Sequence, residues 1–239
     1  MTEPSLTSID WRTYYNREHE IHRFLPEVDP TERYRALLVD SLMPTEKLET
    51  MLDAGCGDGF QCKHFSGKFR RVVGCDISLA RAQFAQKQLP SAGFLCSDLM
   101  HLPFHPRSFD IVTLCEVLEH MEEPVDILRQ LVPLSRRYVL VTVPYRQKPQ
   151  IILCPHCSRP FPIDGHLQMF DDASFRSTLE QAGLRVVKVE KFYMPSPWEA
   201  LAPVRWLSYR GKLRLRRFLM RLSVLVDNAM FIGALCEVP

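Results

Sequence analysis

Short apolar runs, each closing in an acid, recur along residues 45–145, with amphipathic stretches between them. Met51-Leu52 ends in Asp53, Arg71 to Cys75 in Asp76, Gly93 to Ser97 in Asp98, and Phe109 to Cys115 in Glu116. Runs of that kind read as strands buried on both faces, and the spaced apolar positions between them as crossover helices, the first over Leu79–Leu89. Tyr138 to Val143 predicts a fifth strand, Leu184 to Phe192 a sixth and Met230 to Val238 a seventh. A helix is expected from Phe170 to about Ala182, with Asp171 or Asp172 as its N-cap and Gly183 as its stop. Strands alternating with helices make a doubly wound α/β sheet.

The first strand turns through Asp53-Ala54-Gly55-Cys56-Gly57-Asp58-Gly59. Glycines at three alternate positions let the backbone take positive φ and let a ligand come close to it. A dinucleotide loop is spaced G-x-G-x-x-G. Here the third glycine arrives one residue early, and Asp53 stands two residues before the first. A carboxylate at that point repels a pyrophosphate and suits a ligand with an amino group and a sulfonium, which points to S-adenosylmethionine. Asp76, 17 residues after Gly59, can accept both ribose hydroxyls, and Asp98 can accept from the adenine amino group. Each acid lies at the carboxyl end of its strand, where open α/β sheets bind ligands. A nicotinamide dehydrogenase is disfavoured by the same glycine spacing.

Composition narrows the class without naming an acceptor. A chain of 239 residues holds one sizeable domain, and 46% hydrophobic content is ordinary for a globular protein. A net charge of +2 argues against a nucleic-acid partner. Met1 to Asp10 has no apolar signal core and no 18-residue apolar run occurs, so a cytoplasmic protein is expected. The eight cysteines do not form a disulfide framework, and Cys56, Cys75, Cys96 and Cys115 read as small apolar residues.

Asp53 to Gly59, Asp76, Ser97-Asp98, Leu102-Pro103-Phe104, Phe109-Asp110 and Glu116-Val117-Leu118-Glu119-His120, in that order, resemble the class I S-adenosylmethionine-dependent methyltransferases. The likeness is in particular to the branch of ubiquinone-biosynthesis and other small-molecule methyltransferases, and it covers residues 45–145 well and the rest loosely. It implies a Rossmann-like seven-stranded, mostly parallel sheet with an antiparallel last strand and helices on both faces. It also implies in-line transfer of the sulfonium methyl to oxygen, nitrogen or carbon of a small-molecule acceptor. The cofactor-lining set is Asp53, Gly55, Cys56, Gly57, Gly59, Asp76, Ile77, Ser97, Asp98, Leu99 and Glu116. Pro133-Leu134-Ser135-Arg136-Arg137 departs from the branch, which has a Lys-Pro-Gly-Gly turn there. Residues 1–45, with Trp11, Tyr14 and Tyr15 and a helical run over Thr31–Met43, are expected as a helical cap over the cofactor cleft, before a methyltransferase domain at 46–239. Plain helix packing accounts equally well for Trp11 and the tyrosines.

Two insertions are individual to this chain. In the first, at about 146–169, Cys154-Pro155-His156-Cys157 has the spacing of a zinc half-site, and His166 follows nine residues later. Cys154, Cys157 and His166 make one metal set, against a metal-free turn. Glu116, Glu119 and His120 make a rival set for magnesium, since i, i+3 and i+4 share one face of a helical turn. Metal-dependent relatives use a similar E-x-x-E-H pattern, and some add a later histidine, as His166 stands here. Relatives that need no metal share the pattern.

The second insertion, at about 194–228, sets Leu215, Phe218, Leu219, Leu222 and Val226 on one helical face and Arg210, Arg214, Arg217 and Arg221 on the other. It reads either as a lid helix with a solvated basic face or as a surface for an acidic or amphipathic acceptor or an anionic membrane. Trp198, Trp206 and Tyr209 suit an apolar or ring-bearing acceptor. His120 and His166 are the candidate bases, against a structural role for each. The alternative to an enzyme is an S-adenosylmethionine-binding protein that serves a partner without catalysis. The sequence leaves the oligomeric state open.

Overall fold

The computed structural model describes residues 10–22, 30–154, 158, 160–193 and 229–239. Its elements in chain order are α1 (Trp11–His22), α2 (Pro30–Leu42), β1 (Thr50–Ala54), α3 (Phe60–Phe65), β2 (Arg71–Asp76), α4 (Leu79–Gln88), β3 (Gly93–Cys96) and β4 (Phe109–Cys115). There follow α5 (Pro124–Leu131), β5 (Ser135–Pro144), β6 (Ile151–Leu153), β7 (Pro160–Pro162), α6 (Asp172–Gln181), β8 (Arg185–Tyr193) and β9 (Ala229–Glu237). The seven-stranded sheet runs β3-β2-β1-β4-β5-β9-β8. Strands β1 to β5 are parallel, and β9 lies antiparallel between β5 and β8. The order reverses at β1, so β2 and β4 leave it in opposite directions and a crevice opens at their carboxyl ends.

Alternation along the central strands divides the core between the two faces. Leu52, Val112, Val139 and Val141 face α5 and α6, packing with Leu128, Leu131, Phe175 and Leu179. Their neighbours Met51, Ile111 and Leu140 face α2 and α3, packing with Leu38, Val39, Leu42 and Phe65. Thus α2 belongs to the core beneath the sheet, whereas α1 lies at the crevice. Gly233 of β9 makes room for α2: a Cβ there would come within 2.6 Å of Leu42 Cδ1 and 3.0 Å of Thr142 Cγ2.

Where elements differ from the pattern, a local contact explains it. β3 stops at Cys96 because the Asp98 side chain accepts from Met100 N–H and starts a short 3-10 turn, Leu99–His101. β4 stops at Cys115 because Glu116 has φ of +56°. β5 begins earlier than Tyr138, at Ser135, next to a register shift in β4 between Phe109 and Ile111. The first insertion folds as the two-stranded β6–β7 hairpin, which hydrophobic pattern did not reveal. The helix α6 has the expected cap, Asp171 accepting from Ser174 N–H, and Gly183 follows it at positive φ. No described helix is long and apolar enough to cross a membrane.

Because Leu42 is fully buried between α2 and the sheet, Leu42→Ala is expected to cost about 2–5 kcal/mol in urea unfolding. A loss below about 0.5 kcal/mol would contradict the docking of α2 described above.

Candidate active site

The loop after β1 is shaped by what surrounds it. Gly55 and Cys56 N–H both donate to the Cys75 carbonyl, at 2.8 and 2.9 Å, which folds the chain back over the end of β2. Gly55 has φ of +78°, and a Cβ there would lie 2.4 Å from Val117 Cγ2. Asp76 closes the loop: its carboxylate accepts from Gly57 N–H at 2.9 Å and from Ser78 N–H at 2.8 Å. Burial pushes its pKa up, against the lowering by those two donors. Each carboxylate oxygen keeps a lone pair for a further donor.

A cavity of about 290 Å³ opens above this loop, near the lower end of the roughly 300–1,000 Å³ usual for ligand sites. Gly55, Gly57, Asp76, Ile77, Asp98, Leu99 and Glu116 line it, as the sequence suggested. Cys56, Gly59 and Ser97 support the loop or the turn beside it and are absent from its wall. Asp53 is also absent. It is 1% exposed and turned into the core, accepting from Thr113 Oγ1 at 2.8 Å and from the Cys62 thiol at 3.4 Å. Asp53 therefore braces the loop from below, which corrects the expectation that its side chain contacts the ligand.

Sequence reasoning missed several wall residues, among them Arg81, Val117, Met121, Glu122 and Ile127. Arg81 sits three residues past the Ser78 cap of α4, a position that carries no cofactor signal. Trp11 and Tyr15 of α1 complete the wall. Helix α1 is fastened across the crevice by polar contacts to three elements. Asn16 Oδ1 accepts from Ser78 Oγ and Ala80 N–H, Glu18 pairs with Arg81, and His19 Nδ1 lies 3.0 Å from Asp58 Oδ1 in the glycine loop. The Tyr15 hydroxyl lies 3.0 Å from His120 Nδ1.

The turn after β4 and the first insertion meet beside the cavity. The Glu119 carbonyl accepts from Leu167 and Gln168 N–H, and Gln168 Nε2 donates to the Met121 and Glu122 carbonyls. This staple brings His166 Nε2 to 4.0 Å and His120 Nε2 to 3.9 Å from Glu119 Oε1. The sequence named His120 and His166 but gave no sign that Gly165 joins them. Gly165 has φ of +70°, its carbonyl lies 3.1 Å from His120 Nδ1, and a Cβ on it would lie 3.2 Å from both His120 and Trp11. The only signal was a glycine directly before His166.

Glu119, His120 and His166 each offer a ligand atom within 4.8 Å of the others, the one such group among the described residues. Glu116 is not part of it. Its positive φ breaks the helical turn on which Glu116, Glu119 and His120 were to share a face, and its carboxylate accepts from Thr142 Oγ1 at 2.9 Å. His166, named for either metal set, stands with Glu119 and His120, and Cys157 lies outside the described residues. So do the aromatic and basic positions named between 194 and 228. Glu119 is 1% exposed with neither carboxylate oxygen hydrogen-bonded, and burial, then the Glu116 charge, raises its pKa well above the carboxylate range. Burial, then His166, lowers His120 to about 4, and burial lowers His166.

Residues 52–137 match the methyltransferase domain family. Ubiquinone biosynthesis O-methyltransferase of Thiobacillus denitrificans is 31% identical over 109 residues, 44% of this chain and 45% of that protein. Demethylmenaquinone methyltransferase of Paenarthrobacter aurescens is 28% identical over 106 residues, 44% of this chain and 42% of that protein. The chain thus covers less than half the length of these relatives. Among solved structures, 1,6-didemethyltoxoflavin-N1-methyltransferase of Burkholderia thailandensis superposes with a TM-score of 0.62 at 16% identity, covering 95% of this chain and 87% of that one. Phosphoethanolamine N-methyltransferase 2 of Haemonchus contortus gives 0.66 at 14% identity, with 98% and 61% covered. The architecture is that of the Rossmann-like methyltransferases. The likeness to a methyltransferase domain is carried by residues 52–137.

The half-buried His120 has a pH signature. Unfolded histidine titrates near 6.5, and folded His120 near 4. Between these values the unfolded chain binds the extra proton, so this contribution to stability is present above about pH 6.5 and is lost as pH falls toward 4. Urea midpoints measured across that window are expected to fall less steeply for His120→Gln than for the wild type. Parallel curves would contradict the burial described for this ring.

Proposed function

We propose that the protein is an S-adenosylmethionine-dependent methyltransferase acting on a small-molecule acceptor. The observation that carries this reading is the convergence of the Gly55–Gly57 backbone, Asp76 and Asp98 on one cavity at the carboxyl ends of β1, β2 and β3. In this reading the loop backbone faces the methionine portion, Asp76 the ribose hydroxyls and Asp98 the adenine amino group, with Ile77 and Leu99 as apolar walls. The sulfonium already activates the methyl, so the protein supplies alignment and exclusion of water. Trp11, Tyr15, Met121 and Ile127 give the cavity an apolar, ring-rich side, which suits an apolar or ring-bearing acceptor.

His120 is the base in this account. Its Nδ1 faces a carbonyl, which accepts only, so the proton belongs there and the Nε2 lone pair is free. Depressed basicity keeps the ring neutral at physiological pH.

The orphaned Glu119 carboxylate favours a second use of the same lone pair. A buried carboxyl beside two imidazole nitrogens, one of them oriented by a carbonyl on its other nitrogen, fits a divalent cation. Two nitrogens and one carboxylate suit zinc or iron better than magnesium. Such an ion would supply Lewis acidity toward an acceptor hydroxyl, with Glu119, His120 and His166 holding it.

Calorimetric titration with S-adenosylhomocysteine tests the donor site. Micromolar binding is expected, weakened by about a hundredfold or more in Asp76→Ala, which removes two charge-assisted hydrogen bonds. Binding of a nicotinamide dinucleotide in its place would contradict the proposal, and donor binding without transfer to any acceptor would favour a non-catalytic role. Elemental analysis of the purified protein decides the second reading: a stoichiometric divalent ion lost in Glu119→Ala supports it, and none in the wild type refutes it.

A further inference from the structure

One nitrogen at this site has two oxygen neighbours, and one of them fixes where its proton sits. His120 Nδ1 lies 3.0 Å from the Tyr15 hydroxyl and 3.1 Å from the Gly165 carbonyl. A neutral ring nitrogen carries either an N–H or a lone pair. The carbonyl can only accept, so the contact at 3.1 Å is attractive only if Nδ1 carries the proton. In the other tautomer a lone pair faces the carbonyl oxygen. The backbone leaves that carbonyl little freedom to turn away. Gly165 N–H donates to the Pro162 carbonyl at 3.1 Å, and the Leu167 and Gln168 amides are held by the Glu119 carbonyl.

With Nδ1–H donating, the Tyr15 oxygen acts toward His120 as an acceptor, and its own proton is left over. No other hydrogen bond of Tyr15 is formed among the described residues. The ring is held by stacking on Trp11 at 5.9 Å and by the Arg81 guanidinium 5.7 Å from its centre, so the hydroxyl cannot swing far. Tyr15 lines the cavity, as His120 does. A half-buried hydroxyl with a proton to spare faces the cavity, and a ligand there can accept from it.

We propose that Tyr15 donates a hydrogen bond to an oxygen of the methyl acceptor, so that the site selects a hydroxyl- or carbonyl-bearing acceptor over an ammonium compound. An ammonium group has only donors and cannot accept from the phenol. A tyrosine hydroxyl keeps its proton at neutral pH, so Tyr15 is available as the donor. This assignment rests on the donor reading above and is unaffected by whether His120 Nε2 acts as base or metal ligand.

The test uses 4-nitrocatechol, whose absorbance reports binding, titrated into protein saturated with S-adenosylhomocysteine. Wild type is expected to bind it, and Tyr15→Phe to bind it about tenfold more weakly, the size of a hydrogen bond to a charged or polarised oxygen. The melting temperature should stay close to wild type, because Phe preserves the stack on Trp11, and each protein is titrated at its own saturating S-adenosylhomocysteine concentration. Equal nitrocatechol affinity in Tyr15→Phe, or none in the loaded wild type, overturns this inference and leaves the donor reading standing. A protein that takes up no S-adenosylhomocysteine overturns both.

Discussion

The Cys75 carbonyl, accepting from two successive amides at Gly55 and Cys56, is the contact on which the rest of the site depends. It turns the chain back as it leaves β1, a strand buried on both faces and flanked by parallel neighbours, so the chain can leave only at its carboxyl end. Val117 blocks any side chain at Gly55, and that places the turn after β4 directly against the glycine loop. Asp76 then finds the Gly57 amide within reach. The donor half of the cavity is the consequence of these few packing facts.

The other half is assembled from segments far apart in the chain. The turn after β4 contributes Glu119 and His120, the first insertion contributes Gly165 and His166, and α1 contributes Trp11 and Tyr15. Backbone hydrogen bonds to the Glu119 carbonyl hold the insertion, whereas side-chain contacts hold α1. The α1 contacts, Glu18 with Arg81 and His19 with Asp58, each include a partly exposed partner, so their strength falls with salt. The glycine-loop side is therefore fixed by bonds to backbone amides, and its cover is held by side-chain contacts. Burial gives the mouth its chemistry as well, keeping His120 neutral and pushing the Glu119 carboxyl above the usual carboxylate range.

Much of the donor half was legible because strand ends repeat. Apolar runs closing in Asp76 and Asp98 identify both the element and the position of the carboxylate, and the glycine spacing is what points to S-adenosylmethionine over a dinucleotide. Asp53 shows where that logic stops: a strand-end acid can point down to Thr113 and Cys62 as easily as up to a ligand, since alternation fixes the face but not which end of the layer the side chain seeks. The E-x-x-E-H pattern misled through its backbone, as the positive φ at Glu116 has no signature in a non-glycine residue. Gly165 and Arg81 were missed because their roles arise from contacts between elements that only the fold brings together. The insertion hairpin was hidden by its shortness, three residues on each side.

The central claim is that one cavity, floored by the glycine loop and roofed by α1, holds the methyl donor. A crystal structure with S-adenosylhomocysteine tests it most directly. The account predicts the ribose hydroxyls on Asp76, the adenine beside Asp98 and Leu99, and the thioether beneath Trp11 and Tyr15. Density for the ligand outside this cavity, or a ribose that leaves Asp76 uncontacted, would contradict it.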